Sequence, residues 1–125
     1  MSAAPDNLAQ RDIIWARVAD SSGKIKERPL LILTATEEII LDQPFVALAI
    51  STTFPDPLPP NHVPLPWQAD GKVRTGLRKR SAVVVDWQVV LRPSDVIERK
   101  GAISAEKMIQ ILECLAAVRA DGDTQ

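Results

Sequence analysis

Apolar residues in this chain gather into short runs parted by polar, proline-bearing or glycine-bearing stretches, and only the last run recurs at helical spacing. The first, Asp12-Ile13-Ile14-Trp15-Ala16-Arg17-Val18, is rich in β-branched and aromatic residues. It closes on Asp20-Ser21-Ser22-Gly23, so it predicts a strand that ends in a turn. The run Pro29-Leu30-Leu31-Ile32-Leu33-Thr34 is almost continuously apolar, the pattern of a strand buried on both faces. Proline is tolerated there at the strand's first position, where its missing N–H removes no ladder bond. Arg28 accordingly stands where a basic loop enters the core. A third run, Pro44 to Ile50, predicts a strand whose end carries three consecutive hydroxyls, Ser51, Thr52 and Thr53.

Closely spaced prolines from Pro55 to Pro60 forbid helix and predict an extended surface loop, after which His62 to Trp67 fits only an edge strand. Ser81 to Leu91 is the strongest strand pattern, with one irregularity. Asp86 and Gln88, two apart and therefore on one face, interrupt a row of valines. Pro93-Ser94-Asp95 reads as a turn, and residues 96–103 can hold one more short strand. Ser104 is a good N-cap and Glu106 suits the positive end of a helix dipole. Met108, Ile111, Leu112, Leu115 and Val118 then recur at spacings of three and four, an amphipathic helix with one apolar stripe. From Asp121 onward the chain should fray. Strands with no helix between them exclude parallel βαβ architecture and predict a mainly β domain. Its form would be a strongly bent antiparallel sheet or partly open barrel with a C-terminal helix. We read a single domain over residues 1–125: an N-terminal tail 1–10, a β-barrel core 11–103, the helix 104–119 and a tail 120–125.

Composition changes this picture little, since 46% hydrophobic and 25% charged residues suit an ordinary single core. No apolar run approaches the about 20 residues that span a bilayer, and the N-terminus lacks the basic start and apolar stretch of a signal peptide. A cytoplasmic protein with no membrane partner is expected. The lone Cys114 excludes an internal disulfide or Cys-cluster metal site and, inside the helical stripe, suits core packing. A formal net charge of −1 carries no global nucleic-acid signal, so any anion site is local. Two basic clusters exist: Lys24, Lys26 and Arg28 around Glu27, and Lys72, Arg74, Arg78, Lys79 and Arg80 in a stretch free of acids. Taken alone, such clusters are more often solvated loops.

The chain has no Walker A loop, Gly-x-Gly-x-x-Gly, Gly-x-Ser-x-Gly or His-Glu-x-x-His, and its single His62 cannot form a two-histidine acid–base pair within one chain. The residues call for no metal and no cofactor. An arginine, strand-end hydroxyls, a strand-borne carboxylate and basic loops suit phosphate better than carbonyl chemistry. The planar guanidinium fork holds two phosphate oxygens, and a hydroxyl can donate a further hydrogen bond to the charge that builds in a pentavalent transition state. RNA supplies its own nucleophile, the 2′-hydroxyl, which a carboxylate base would activate. The residues by themselves leave two readings open for each group. Arg28 is a phosphate-holding cation or an exposed loop cation, Ser51 a catalytic hydroxyl or a strand-end cap, and Asp86 a base or an anchor for Gln88 or a turn.

The order of segments resembles the MazF/PemK toxin family over roughly residues 11–118. Arg11-Asp12-Ile13-Ile14-Trp15 is similar to the family's opening strand, and Glu27-Arg28-Pro29-Leu30-Leu31-Ile32-Leu33 to its Arg-Pro-x-(Leu/Val)-(Val/Ile) signature. Ala49-Ile50-Ser51-Thr52 stands where the family has Pro/Ala-(Ile/Val)-Thr-(Ser/Thr). Thr75-Gly76-Leu77-Arg78-Lys79 followed by Ala82 to Asp86 resembles its Thr-Gly-Leu-x-Lys segment and acid-bearing strand, and Lys100-Gly101-Ala102-Ile103-Ser104 resembles the start of its helix.

The resemblance implies an SH3-like small barrel of the MazF/Kid/CcdB type and a homodimer. It also implies the toxin half of a type II toxin–antitoxin pair: a metal-independent endoribonuclease that cleaves single-stranded mRNA by 2′-hydroxyl attack. A cognate antitoxin would lay a disordered tail in the RNA groove, and DNA would be met only through that antitoxin. On this resemblance Arg28, Ser51 and Asp86 are the catalytic candidates, and Lys24, Lys26, Thr52, Thr53, Arg78, Lys79 and Gln88 the substrate-binding ones. The chain departs from the family pattern at four places: Gly23-Lys24-Ile25-Lys26 replaces a Gly-x-Glu-Gln segment, Ser51 replaces threonine, Trp87 separates Asp86 from Gln88, and Val84 stands where some members carry arginine. The alternatives are a weakened or inactive member that binds RNA or antitoxin, and a CcdB-like gyrase poison. The Arg-Pro and Ile-Ser-Thr signatures speak against the latter.

Overall fold

The computed structural model describes residues 8–20, 22–40 and 43–123. Its strands are β1 (Asp12–Ala19), β2 (Ile25–Ile32), β3 (Phe45–Ser51), β4 (His62–Leu65), β5 (Ser81–Leu91) and β6 (Val96–Ala102), followed by the helix α1 (Ala105–Asp123). The strands form one antiparallel sheet in the order β4-β5-β3-β2-β1-β6, which stays open, with β4 and β6 at its edges.

Alternation along the strands feeds two apolar clusters, as side chains of period two must. Ile13, Leu31, Leu48, Ile50, Val83 and Val85 pack with Met108, Ile111 and Leu115 of α1. On the opposite parity, Ile14, Ala16, Leu30, Ile32, Ala47 and Ala49 pack with Phe45, Leu91 and Val96. Strand β5 serves both clusters. Its register against β3 shifts between Ile50↔Val83 and Leu48↔Gln88, so Val84 to Trp87 stand against the single residue Ala49. The shift is by an odd number of residues and therefore flips the inward face. Val83 and Val85 face the first cluster, whereas Trp87 and Val89 pack against the second.

Several expectations are corrected. Strand β2 begins at Ile25 rather than Pro29, because residues 25–31 pair with β1 in a hairpin closed at Gly23 (φ +85°). Pro29 thus lies within the strand, opposite Trp15, and pairing on its other flank starts only at Leu30. Arg28 is a strand residue, not a loop one. The expected tail 1–10 is packed at its end: Leu8 is buried, the Ala9 N–H donates to Asp12 Oδ2 (2.8 Å) and Gln10 Nε2 to the Leu33 carbonyl (2.8 Å). Residues 1–7 lie outside the described residues. The helix runs on to Asp123, past the expected end at 119. Ser104 caps it through Oγ to the Lys107 N–H (3.1 Å), worth about 1 kcal/mol for such caps. Leu112, expected in its apolar stripe, is exposed. Among the described residues no helix is long and apolar enough to cross a membrane.

Candidate active site

The site lies where the start of β2, the end of β3 and the loop before β5 converge. That loop is locked down by its Thr-Gly-Leu segment. Thr75 is buried, and its Oγ1 donates to the Pro66 carbonyl (2.8 Å) while accepting from the Leu77 N–H (3.2 Å). Gly76 (φ +72°) and Gly101 let the loop backbone lie directly on β6: a Cβ at Gly101 would stand 2.1 Å from the Arg74 carbonyl oxygen. Arg78 and Lys79, both exposed, are thereby carried to the rim of the cleft.

The cleft, about 380 Å³, is lined by Trp15, Lys26, Glu27, Arg28, Pro29, Ile50, Thr52, Gly76, Leu77, Arg78, Lys79, Ser81 and Lys100. Five of these side chains are cationic and only Glu27 is acidic, so the cleft is locally basic on a chain of net charge −1. Long-range charge is screened over about 8–10 Å in physiological salt, and such a cluster acts on a contacting anion independently of the rest of the surface.

Arg28 and Ser51 flank the paired part of β2 and β3. Leu30 pairs with Ala49 and Leu31 with Leu48. The paired stretch ends at Leu30 and Ala49, and Arg28 and Ser51 each lie two residues beyond that end on their own strands. The Arg28 guanidinium lies 5.2 Å from the centroid of the Trp87 ring, its Nη2 is 3.9 Å from Asp20 Oδ2, and its Nε is buried without a hydrogen-bond partner. A second buried donor, Trp15 Nε1, is likewise unpaired. Buried donors are nearly always satisfied, so these two are exceptions among the described residues. Asp20 is fixed by its own turn: Oδ1 accepts from the Ser22 hydroxyl, the Ser22 N–H (2.9 Å) and the Lys24 N–H (3.0 Å). These bonds, led by the Ser22 hydroxyl, hold its carboxyl below the ordinary carboxylate value, with the Arg28 charge a smaller cause.

The expected site residues separate into groups. Lys26, Arg28, Thr52, Arg78 and Lys79 line the cleft. Ser51 sits at its edge, and its Oγ donates to the Thr53 carbonyl (2.8 Å) and accepts from the Thr53 N–H (3.2 Å), a local turn that also occupies Thr53. Lys24 braces the Asp20 turn through its backbone N–H and is not among the lining residues.

Asp86 is not brought to the cleft. It accepts from Asn61 Nδ2 (2.9 Å), and Asn61 Oδ1 lies 2.7 Å from His62 Nδ1. With the Asn61 amide nitrogen given to the carboxylate, its oxygen accepts from His62 Nδ1. Cys114 donates from Sγ to the Pro60 carbonyl (3.2 Å), and burial, with the nearby Asp86 charge, pushes its thiol pKa up.

Gln88 lines a separate concavity of about 600 Å³ between the ends of β1, β5 and β6, with Trp87 in its wall. Sequence reasoning passed over Trp15, Lys100, Asp20 and Trp87. Lys100 and Trp15 are joined to the site only by the pairing of β1 with β6 and β2, and nothing local marks the face that Trp87 takes. Among the described residues no group of three or more His, Cys, Asp or Glu side chains could hold a metal ion.

An open antiparallel sheet with one C-terminal helix and a cation-lined cleft at its strand ends defines a small β protein equipped to hold a phosphate-bearing ligand. The profile of the PemK-like, MazF-like toxins of type II toxin–antitoxin systems matches residues 9–118, and the chain belongs to that family. Among solved structures, it is similar to the MazE–MazF complex (Form-II) of Deinococcus radiodurans, with 16% identity, 93% of this chain and 98% of that one covered, and a TM-score of 0.69. The toxin MazF-mt6 of Mycobacterium tuberculosis is 22% identical over 86% of this chain and 94% of that one, with a TM-score of 0.64. An endoribonuclease in complex with its cognate antitoxin from a mycobacterial species is 15% identical over 93% and 96%, with a TM-score of 0.65. At these identities the likeness speaks for the fold. No curated protein sequence matches the chain.

Proposed function

We propose that this protein is an endoribonuclease toxin that cleaves single-stranded RNA without a metal. The observation that supports this most is the basic cleft itself, where Arg28, its Nε without a partner among the described residues, stands with Lys26, Arg78, Lys79 and Lys100. In this reading the RNA backbone lies along Lys26, Arg78, Lys79 and Lys100. The ribose 2′-oxygen attacks the adjacent phosphorus and loses its proton to a base. The bond to the 5′-oxygen breaks and that oxygen gains a proton, leaving a 2′,3′-cyclic phosphate and a 5′-hydroxyl. Arg28 stabilises the charge gathered on the phosphoryl oxygens, and the Ser51 hydroxyl, released from Thr53, donates to the same group. Asp86 stands outside the cleft, and the one carboxylate that lines it is Glu27.

The partner in this reading is a cognate antitoxin, as in the antitoxin complexes among the similar structures. Its tail would compete with RNA for the basic cleft. The protein would work as a homodimer in the cytoplasm, where mRNA is. Incubation of the purified protein with a single-stranded RNA of mixed sequence in EDTA tests the activity. Cyclic-phosphate ends are expected, and intact RNA overturns the reading. A second reading, an RNA-binding member that does not cleave, is favoured by the engagement of the Ser51 hydroxyl with Thr53. Retained RNA binding with no cleavage would select it.

A further inference from the structure

We propose that Trp87 is a positioning residue for Arg28, acting across the sheet. The inference rests on the reading of Arg28 as the phosphate-holding cation. Strands β5 and β2 are not neighbours, since β3 lies between them. Contact between their side chains therefore needs both a low point in β3 and a way for β5 to turn an aromatic residue inward, and the structure supplies the two together. The low point is Ala49, fully buried and paired with Leu30. The turn is the register shift that sets Val84 to Trp87 against that same Ala49. Trp87 packs against the second apolar cluster, to which Ala49 belongs, and its ring centroid comes to 5.2 Å from the Arg28 guanidinium carbon.

The contact matters because little else holds the guanidinium. Its ion pair with Asp20 is long, 3.9 Å, and its Nε has no hydrogen-bond partner. An arginine side chain with several free torsions would otherwise lose rotamer entropy each time it gripped a phosphate. A ring face under the guanidinium attracts the cation through its quadrupole while leaving the in-plane N–H fork free for phosphate oxygens. Trp87 touches no substrate atom in this arrangement. Its part is to keep the fork presented, so it acts on the transition state through Arg28.

The test compares Trp87→Phe, which keeps a ring, with Trp87→Leu, which keeps apolar bulk but no ring. Two measurements are made on each variant and on the wild type. The first is the Arg28 Nε–H signal in a nitrogen–proton correlation spectrum, assigned by its loss in Arg28→Lys. It is expected upfield in the wild type from the Trp87 ring current, partly so in Trp87→Phe, and at the ordinary arginine position in Trp87→Leu. The second is steady-state cleavage of a single-stranded RNA. Trp87→Leu is expected to lower kcat about tenfold with KM within about twofold, and Trp87→Phe to keep most of the rate, the span of a partly desolvated cation–π contact. An unshifted wild-type signal overturns the proposal, whether or not the protein cleaves RNA. So does a shifted signal with unchanged kcat in Trp87→Leu, or equal loss in both variants at equal thermal stability. A wild type that cleaves nothing, or full activity in Arg28→Ala, would overturn the reading of the site instead, and the spectrum alone would still decide whether Trp87 holds the guanidinium.

Discussion

Arg28 and Asp86 are both charged strand residues with an aromatic or amide neighbour, yet their surroundings are opposite in kind. Around Asp86, which is exposed, the neighbouring polar groups are paired with one another: Asn61 donates to one carboxylate oxygen at 2.9 Å, and its other end meets His62 at 2.7 Å. Around Arg28 polar capacity is left open, with a long contact to Asp20, a ring face from Trp87, a buried Nε without a partner and four further cations lining the same cleft. Paired polar groups gain little from a further ligand, whereas an incompletely paired cation among like charges gains when an anion arrives. The contrast separates a structural polar cluster from a binding one without appeal to residue type.

The contrast can be broken by substitution. Arg28→Ala should produce the largest effect, a loss of about 10²–10³ in kcat for RNA cleavage with little change in thermal stability, since a partner-poor donor is removed. Ser51→Ala should cost less, about ten- to a hundredfold, because one neutral hydroxyl is lost. Lys100→Ala should raise KM by about three- to tenfold with kcat kept, and should flatten the dependence of binding on salt by about one phosphate contact.

Asp86→Asn should leave cleavage within about twofold while lowering stability by about 1 kcal/mol, measured by urea unfolding. Abolished cleavage in that variant would break the comparison outright. The smallest effect concerns Asp20. Its carboxyl titrates below the ordinary value in the folded protein. Its contribution to stability is therefore present above the unfolded value and is lost as pH falls through the folded one. Unfolding measured between about pH 5 and pH 2 should show a shallower acid decline in Asp20→Asn than in the wild type.

Much of the fold was legible because its signals are local. Val and Ile at alternate positions mark strands, prolines from Pro55 to Pro60 mark a loop, and Ser104 with Met108, Ile111 and Leu115 marks a capped helix. Pro29 misled, since a proline inside a strand is permitted where one flank lacks a neighbour, and that depends on where β3 begins to pair. Leu112 misled because Met108, Ile111 and Leu115, with Cys114 and Val118, cover the core while Leu112 stays exposed. For the site, Arg28 and the Arg78-Lys79 pair were legible from the family resemblance.

Local periodicity by itself determined most of which segments are strands and helix and which neighbouring residues share a face, because side-chain direction repeats every two or 3.6 residues within a regular element. Only the tertiary structure decided how the faces combine. Sheet pairing brought Arg28 and Thr52 to one cleft, and an odd shift opposite Ala49 came with the approach of Trp87 to Arg28, while Asp86 was tied to Asn61. Pairing of β1 with β6 placed Lys100 on the chain beside Trp15 at the cleft. Such placements arise from contacts between residues far apart along the chain, and a one-residue change in register reverses them without altering any local pattern.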